Sequence, residues 1–295
     1  MSFNDNITLD TSGVRSGGGH RGAAIGGGLG GFGLVAAVLF FLVTGQFPNL
    51  GSQVSAPVNQ SETRDIAAEC RTGADANNSD RCRMVAGKNS LDEFWKAQLA
   101  HEAGLRYHAP TLNLYSGQVA TACGTGSNQV GPFYCPGDQT IYIDTTFFHQ
   151  LKQFGAQNTS LAQLYILAHE WGHHIQNHTG DLQKIDHNSS GPTSSMVRSE
   201  LQADCLAGVW MHHAATVKDP DTGVTFMKEP TPQQIRSALD AAAAVGDDRI
   251  YESAGMNANP DNFSHGSSAK RSEWLQRGLT KGTLAACNTW NVDRP

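Results

Sequence analysis

Hydrophobic positions divide the chain into a leader and a larger domain. Residues 23–47 carry no charged side chain and are apolar at their centre, which predicts one membrane-spanning helix of 25 residues. Residues 48–66 are polar and have the composition of a linker. Over residues 67–295 apolar positions recur at helical or strand spacing between polar turns, so we expect a folded domain there.

Local patterns within the domain predict its elements. A Ser or Thr followed three residues later by Glu or Gln can satisfy the free amides at a helix start, and the pairs are Ser90 with Glu93, Ser160 with Gln163, and Thr231 with Gln234. A further helical run covers residues 195–215. Runs rich in β-branched and aromatic residues predict short strands over 111–115, 118–122 and 140–143. Helices segregated from a small strand region indicate the α+β class.

The first 22 residues are polar and rich in glycine, so we expect a disordered tail over residues 1–22. Arg15 and Arg21 precede the apolar stretch, and no charge follows it before residue 62. The positive-inside rule therefore predicts a cytoplasmic tail and a domain in the periplasm or cell exterior. The alternative is a signal peptide cleaved near residues 54–56. The long segment before the apolar run favours an uncleaved, single-pass anchor in the lipid bilayer.

The cysteines agree with an oxidising compartment, because all six follow the apolar stretch and their number is even. Two pairs of cysteines are each 12 residues apart, which suggests two disulfides that close short local loops. The two remaining cysteines would then form the third disulfide. The candidate pairs are Cys70 with Cys82, Cys123 with Cys135, and Cys205 with Cys287. Six cysteines permit other pairings. A structural zinc site competes with this interpretation, but the chain has no Cys-x-x-Cys pair to support it.

The run from His169 to His173, with the sequence His-Glu-Trp-Gly-His, carries the clearest chemical signal. His169 and His173 are four residues apart in a predicted helix, so they project from one face and can bind one ion. Glu170 lies beside that ion and can take a proton from a bound water without binding the ion itself. The pattern is that of a hydrolytic zinc site.

A third ligand is predicted on the next helical run. Glu200 and Asp204 are four residues apart and can face the same site. Glu200 as third ligand leaves one position of a tetrahedral zinc open for water, as in catalytic sites. Asp204 can accept the spare ring N–H of a ligating histidine and fix its tautomer. We therefore expect one Zn²⁺ per chain, bound by His169, His173 and Glu200.

Other histidines carry weaker signals. His265 lies in a polar turn and is a candidate hydrogen-bond donor to the transition state, the alternative being a surface or capping histidine. His174 and His178 are also four apart but lack the following glutamate, which favours surface or supporting positions. Apolar residues follow an amphipathic pattern in the motif helix, which argues against an intramembrane peptidase.

Composition excludes other classes of protein. The formal net charge is −6, whereas a nucleic-acid-binding domain is normally basic. Apolar residues make up 39% of the chain, too much for a wholly disordered protein. Glycine is abundant at 32 residues, but it is concentrated in the leader, so it does not describe the domain.

Two runs, 167–176 and 199–204, resemble those of gluzincin-type zinc metallopeptidases. More narrowly, the chain resembles the bacterial putative neutral zinc metallopeptidase family nearly end to end. The similar regions include residues 9–15, the glycine tract with its single span, 133–138, 141–144 and 264–267. The resemblance implies a zincin-like domain with a small strand region and a helical lobe, attached to the bacterial inner membrane.

The resemblance also implies an activity. It implies zinc bound by His169, His173 and Glu200, with Glu170 as the catalytic base for hydrolysis of peptide or protein substrates. Zincins pair an extended substrate with an edge strand before the motif helix; residues 140–143 are either that strand or an ordinary core strand. The alternative from another class is a catalytically silent, zinc-bearing scaffold or binding module.

Overall fold

Six strands lie within residues 2–17, 66–127 and 130–295, the parts of the chain that the computed structural model describes. They are β1 (Val14–Ser16), β2 (Thr111–Tyr115), β3 (Gln118–Thr121), β4 (Gly124–Ser127), β5 (Phe133–Cys135) and β6 (Thr140–Asp144). One sheet has the order β1–β2–β6–β5, with β5 antiparallel to β6 and the other neighbours parallel. β3 and β4 form a separate antiparallel pair. The three predicted strands are therefore present.

The α-helices contribute side chains to the main hydrophobic core, which contains no side chain of the β3–β4 pair. They are α1 (Gly73–Asn78), α2 (Asp80–Ala103), α3 (Ser160–Thr179), α4 (Ser195–His213), α5 (Pro232–Ala244), α6 (Asp247–Ser253) and α7 (Ser268–Lys281). The predicted capping box of Thr231 and Gln234 begins α5. α3 ends before Gly180, whose φ of +80° is favourable for glycine. Helices segregated from short strands confirm the expected α+β class.

One predicted helix start is wrong. Ser90 does not begin a helix but lies inside α2, where its buried hydroxyl accepts a hydrogen bond from the Trp210 indole at 3.2 Å. The N-cap is Ser79. Residues before Ser90, including Met84 and Val85, are fully buried, and their tertiary packing extends the helix beyond what the capping pattern indicates.

Residues 2–17 form an N-terminal arm that packs onto the domain. β1 belongs to this arm, and its apolar side chains enter the same core as the helices: Phe3, Ile7, Leu9 and Val14. The expectation of a disordered tail over 1–22 is therefore wrong for residues 2–17. A few well-spaced apolar side chains and a strand pairing order a segment whose average composition is polar.

The membrane span predicted over 23–47 lies outside the described residues, as does nearly all of the linker predicted over 48–66. Both therefore stay predictions. Among the helices of the described part of the chain, none combines the length and apolar character needed to cross a bilayer.

Close approaches between helices fix the geometry of the core. A Cβ on Gly172 of α3 would lie 2.9 Å from the Cα of Ala203 in α4, so glycine permits this contact. α4 packs on α7 in the same way. There a Cβ on Gly278 would lie only 1.9 Å from the carbonyl oxygen of Cys205. As a result α3, α4 and α7 hold their side chains in one fixed arrangement.

Three disulfides join the pairs expected from the spacing: Cys70–Cys82, Cys123–Cys135 and Cys205–Cys287. No cysteine of the described residues is free, so the competing structural zinc site on cysteines is ruled out there. Stable disulfides are typical of proteins in an oxidising compartment.

Candidate metal centre

α3 and α4 bring the three predicted ligands together. His169 Nε2 lies 3.2 Å from Glu200 Oε2, and His173 Nε2 lies 3.4 Å from Glu200 Oε1. One ligand atom from each residue lies within 4.8 Å of the other two. Two imidazole nitrogens and one carboxylate oxygen are the protein ligands of many catalytic zinc ions. The donor set and its spacing therefore fit one zinc ion.

Asp204 orients the ring of His169. Its Oδ1 lies 2.8 Å from His169 Nδ1, the contact that the helical spacing suggests, and this leaves Nε2 facing Glu200. Asp204 is fully buried and also accepts hydrogen bonds from the Tyr165 hydroxyl and the Arg271 guanidinium. Burial by itself raises the pKa of Asp204. The positive charges of Arg271 and His169 and the hydrogen bonds from both residues have the opposite and larger effect, so the pKa of Asp204 lies below its ordinary value.

Gln176 has the same role for the second imidazole. Its side-chain oxygen lies 2.8 Å from His173 Nδ1, and its amide nitrogen donates to the Ser199 carbonyl oxygen and to Gln202. Gln176 is fully buried, so these contacts fix its orientation. The sequence analysis missed Gln176, although a position three residues after His173 lies on the same face of the helix.

Glu170 lies beside the ligands but does not belong to the ligand cluster. Its side chain lines the same cavity as His169, His173 and Glu200, and only 8% of the residue is exposed. Burial raises the pKa of Glu170, and the two neighbouring histidines offset this only in part. A carboxylate with a raised pKa suits proton transfer near neutral pH.

His265 also lines this cavity, where a hydrogen-bond donor to the transition state would have to lie. Its Nδ1 lies 3.1 Å from Oδ1 of Asp247, the first residue of α6. The other oxygen of Asp247 accepts the backbone N–H groups of residues 264, 265 and 266 at 2.8–2.9 Å. Asp247 therefore fixes both the turn and the ring. No sequence pattern indicates Asp247.

Arg271 is a second residue that the sequence analysis missed. It lies in the first turn of α7, is 3% exposed, and binds Asp204 through Nε at 2.8 Å and Nη2 at 3.0 Å. Nη2 also lies 3.8 Å from Glu200 Oε2, and the residue lines the cavity. A buried cation beside two carboxylates balances their charge.

The cavity has a volume of about 580 Å³ and mostly apolar walls. Besides the polar cluster it is lined by Phe133, Phe147, Phe154, Ile166, Val245 and Ile250, among others. Ligand sites commonly have this size and this combination of apolar walls with a few convergent polar groups.

His174 and His178 lie outside the ligand cluster, and residues 140–143 do not form an edge strand. His174 is 1% exposed, with Nε2 bonded to the His108 carbonyl oxygen and Nδ1 to the Tyr134 hydroxyl. Burial lowers the pKa of His174 to about 4, so its ring is a neutral packing group. His178 contacts the same carbonyl oxygen.

The strand predicted over residues 140–143 is β6. It lies between β2 and β5, so it is an interior strand and not an edge strand.

Comparison with known sequences agrees with this geometry. Residues 3–290 match the family described as putative neutral zinc metallopeptidase. Two uncharacterized relatives, Rv2575 of Mycobacterium tuberculosis and Mb2605 of Mycobacterium bovis, are each 46% identical over 238 residues, covering 78% of this chain and 80% of the relative. The uncharacterized protein YpfJ of Escherichia coli is 37% identical over 206 residues, 68% of each chain. No solved structure matches significantly. The chain therefore belongs to the putative neutral zinc metallopeptidase family.

Proposed function

We propose that the protein is a zinc-dependent metalloendopeptidase that hydrolyses peptide bonds, with Glu170 as general base. The observation that carries the proposal is the convergence of three ligands on one point of a large cavity that also contains Glu170. A structural zinc site would have four protein ligands and no access to such a cavity. Within the described residues this donor set has three.

The residues of the chain divide the chemical work. Zinc, bound by His169, His173 and Glu200, would supply a Lewis acid that activates water and polarises the substrate carbonyl. Glu170 takes a proton from the attacking water and returns it to the nitrogen of the leaving amine. His265, held by Asp247, donates a hydrogen bond to the oxygen on which negative charge develops.

We also propose that the domain works outside the cytoplasm of a bacterial cell. The argument rests on the three disulfides, which persist in oxidising compartments such as the periplasm. Attachment to the lipid bilayer by residues 23–47 rests on the apolar sequence alone.

Metal content and peptide cleavage, measured on the same full-length preparation, test the proposal. We expect one zinc ion per chain and cleavage of casein that stops with a chelator and returns with added zinc. Glu200→Ala removes one of three ligands, so both zinc and cleavage are lost. Glu252→Ala, a substitution of an exposed glutamate on α6, changes neither.

The same measurements separate an enzyme from a scaffold. Zinc bound at one ion per chain, without chelator-sensitive cleavage of casein or of a broad peptide library, would contradict the proposed activity. That result would favour the catalytically silent, zinc-bearing scaffold.

A further inference from the structure

The groove that holds the N-terminal arm forms specific hydrogen bonds with the backbone of that segment. Two asparagines of the domain each bind both the backbone N–H and the backbone C=O of one residue of the arm. Asn77 accepts from the Phe3 amide at 2.9 Å and donates to the Phe3 carbonyl oxygen at 3.0 Å. Asn89 accepts from the Asp10 amide at 2.9 Å and donates to the Asp10 carbonyl oxygen at 2.8 Å. Asparagine side chains thus recognise the arm by its backbone.

Main-chain hydrogen bonds continue this recognition along the arm. Leu9 donates to the Arg71 carbonyl oxygen at 2.9 Å, and Ile7 accepts from the Gly73 amide at 3.2 Å. Further along, residues 14–16 pair with residues 112–114 of β2 in parallel register. The arm is therefore bonded to the domain over most of its length.

Polar groups under the arm have their partners in it. With the arm in place Asn89 is 6% exposed, and both hydrogen bonds of its side-chain amide go to Asp10 of the arm. Asp219, which is 2% exposed, accepts from the Thr8 amide at 2.9 Å. Gly73 shows the tightness of the fit, because a Cβ there would lie 1.9 Å from the Asn4 carbonyl oxygen.

This contact has a topological consequence. Two segments that share a hydrophobic core and a sheet must lie in the same aqueous compartment. The arm contacts residues 71–73, directly after Cys70 of the Cys70–Cys82 disulfide, so the shared compartment is an oxidising one. The cytoplasmic tail expected from Arg15 and Arg21 would place the arm across a bilayer from residues 66–295, and the contacts between the two segments argue against that placement of the arm.

We propose that residues 2–17 are a structural part of the metal-binding domain, docked in the groove between Asn77, Asn89 and β2, and lie in the same compartment as the metal centre. The N-terminal arm is then extracytoplasmic whenever the domain is, whatever the path of the chain between residues 17 and 66.

Cysteine labelling in intact cells tests the compartment. The full-length chain has six cysteines and all are in disulfides, so an introduced thiol is the only target. Asn6→Cys adds a thiol at an exposed position of the arm, and Asp240→Cys adds one at an exposed position of α5 as the reference for the domain. A membrane-impermeant maleimide is applied to spheroplasts with and without permeabilisation of the membrane.

We expect both thiols to react to the same extent in intact spheroplasts. If Asn6→Cys reacts only after permeabilisation while Asp240→Cys reacts before it, the arm lies across the membrane from the domain and the proposal is wrong.

A crosslink tests docking independently of the compartment. Arg15 of β1 and Asn113 of β2 are register partners, so Arg15→Cys with Asn113→Cys places two thiols side by side on one face of the sheet. A short bis-maleimide added to intact, full-length protein should join residues 15 and 113, as detected by mass spectrometry. Unfolding in urea before the reagent is added should abolish the crosslink. Absence of the crosslink in folded, zinc-loaded protein would contradict docking of the arm.

Discussion

Nδ1 of His265 faces Asp247. The protonation state of the His265 ring therefore decides whether Nε2 can donate a hydrogen bond. Burial by itself lowers the pKa of His265, but the hydrogen bond and charge of Asp247 outweigh burial and raise the pKa above its ordinary value. With Nδ1–H given to Asp247, only the protonated ring carries a second N–H. We therefore expect kcat to fall as the pH rises through the raised pKa of His265.

His265→Ala removes this donor. The expected result is a fall in kcat of about 10²–10³-fold with unchanged zinc content, and loss of the alkaline limb that His265 imposes. His187→Ala is the matched control, since His187 also lines the cavity but is exposed. A His265→Ala enzyme with wild-type kcat and an unaltered pH profile would show that His265 has no part in the reaction.

Helical spacing explains which site residues could be predicted. His169, His173, Glu200 and Asp204 occur in two i, i+4 pairs, and Gln176, three residues after His173, could have been found by the related i, i+3 spacing. Asp247 lies 18 residues from His265, and Arg271 lies 67 residues from Asp204. No periodicity connects residues so distant in the chain, because only tertiary packing brings them together.

The contact between α4 and α7 determines where Arg271 meets Asp204. Gly278 allows this contact, and an added methyl group would overlap the Cys205 carbonyl oxygen of α4. We expect Gly278→Ala to lower the free energy of unfolding by about 1–3 kcal/mol through overpacking. Denaturant unfolding of the zinc-loaded protein measures the change.

Lys281→Ala serves as the control for this substitution, because Lys281 is exposed in the last turn of α7. Its free energy of unfolding should stay within about 0.5 kcal/mol of the wild type. Equal free energies of unfolding for Gly278→Ala and Lys281→Ala would show that a methyl group at residue 278 is accommodated without strain. That result would contradict the close packing of α4 on α7.

Local sequence signals predicted elements well where the capping residues and the apolar run agree. The Thr231 and Gln234 pair marks the true start of α5, and α4 begins where the pattern places it. The N-cap of α3 is Thr159 instead of the predicted Ser160, and the Gln163 side chain bonds Asn158 and Arg83. Ser90 misled because a polar residue followed by Glu93 also occurs inside α2, where a buried tryptophan indole satisfies the serine hydroxyl. Capping patterns describe local bonding and do not reveal tertiary partners.

The disulfides stabilise the whole molecule to different extents. Cys205–Cys287 closes a loop over a separation of 82 residues, whereas Cys123–Cys135 closes one over 12. Chain-entropy arguments give about 4–5 kcal/mol for the long loop and about 3 kcal/mol for the short one. Replacing both cysteines of a pair by alanine should therefore lower the free energy of unfolding more for the Cys205–Cys287 pair. A larger loss from the Cys123–Cys135 pair would contradict this order.

The arrangement of the whole chain was the hardest part to predict. Average composition suggests a disordered leader, yet Phe3, Ile7, Leu9 and Val14 join the core. Their partners lie between about 60 and 220 residues away along the chain, as the contacts of Phe3 with Asn77 and of Asn4 with Thr225 illustrate. Pairings over such separations leave no periodic signal in one sequence.

The central claim is that Glu170 performs proton transfer beside a metal held by other residues. The most direct measurement is the rate of peptide cleavage by Glu170→Gln at matched zinc content. Glutamine keeps the shape of the side chain but cannot take a proton, so we predict one zinc ion per chain and a fall in kcat of at least about a hundredfold. Cleavage at the wild-type rate by the fully zinc-loaded Glu170→Gln protein would contradict the account.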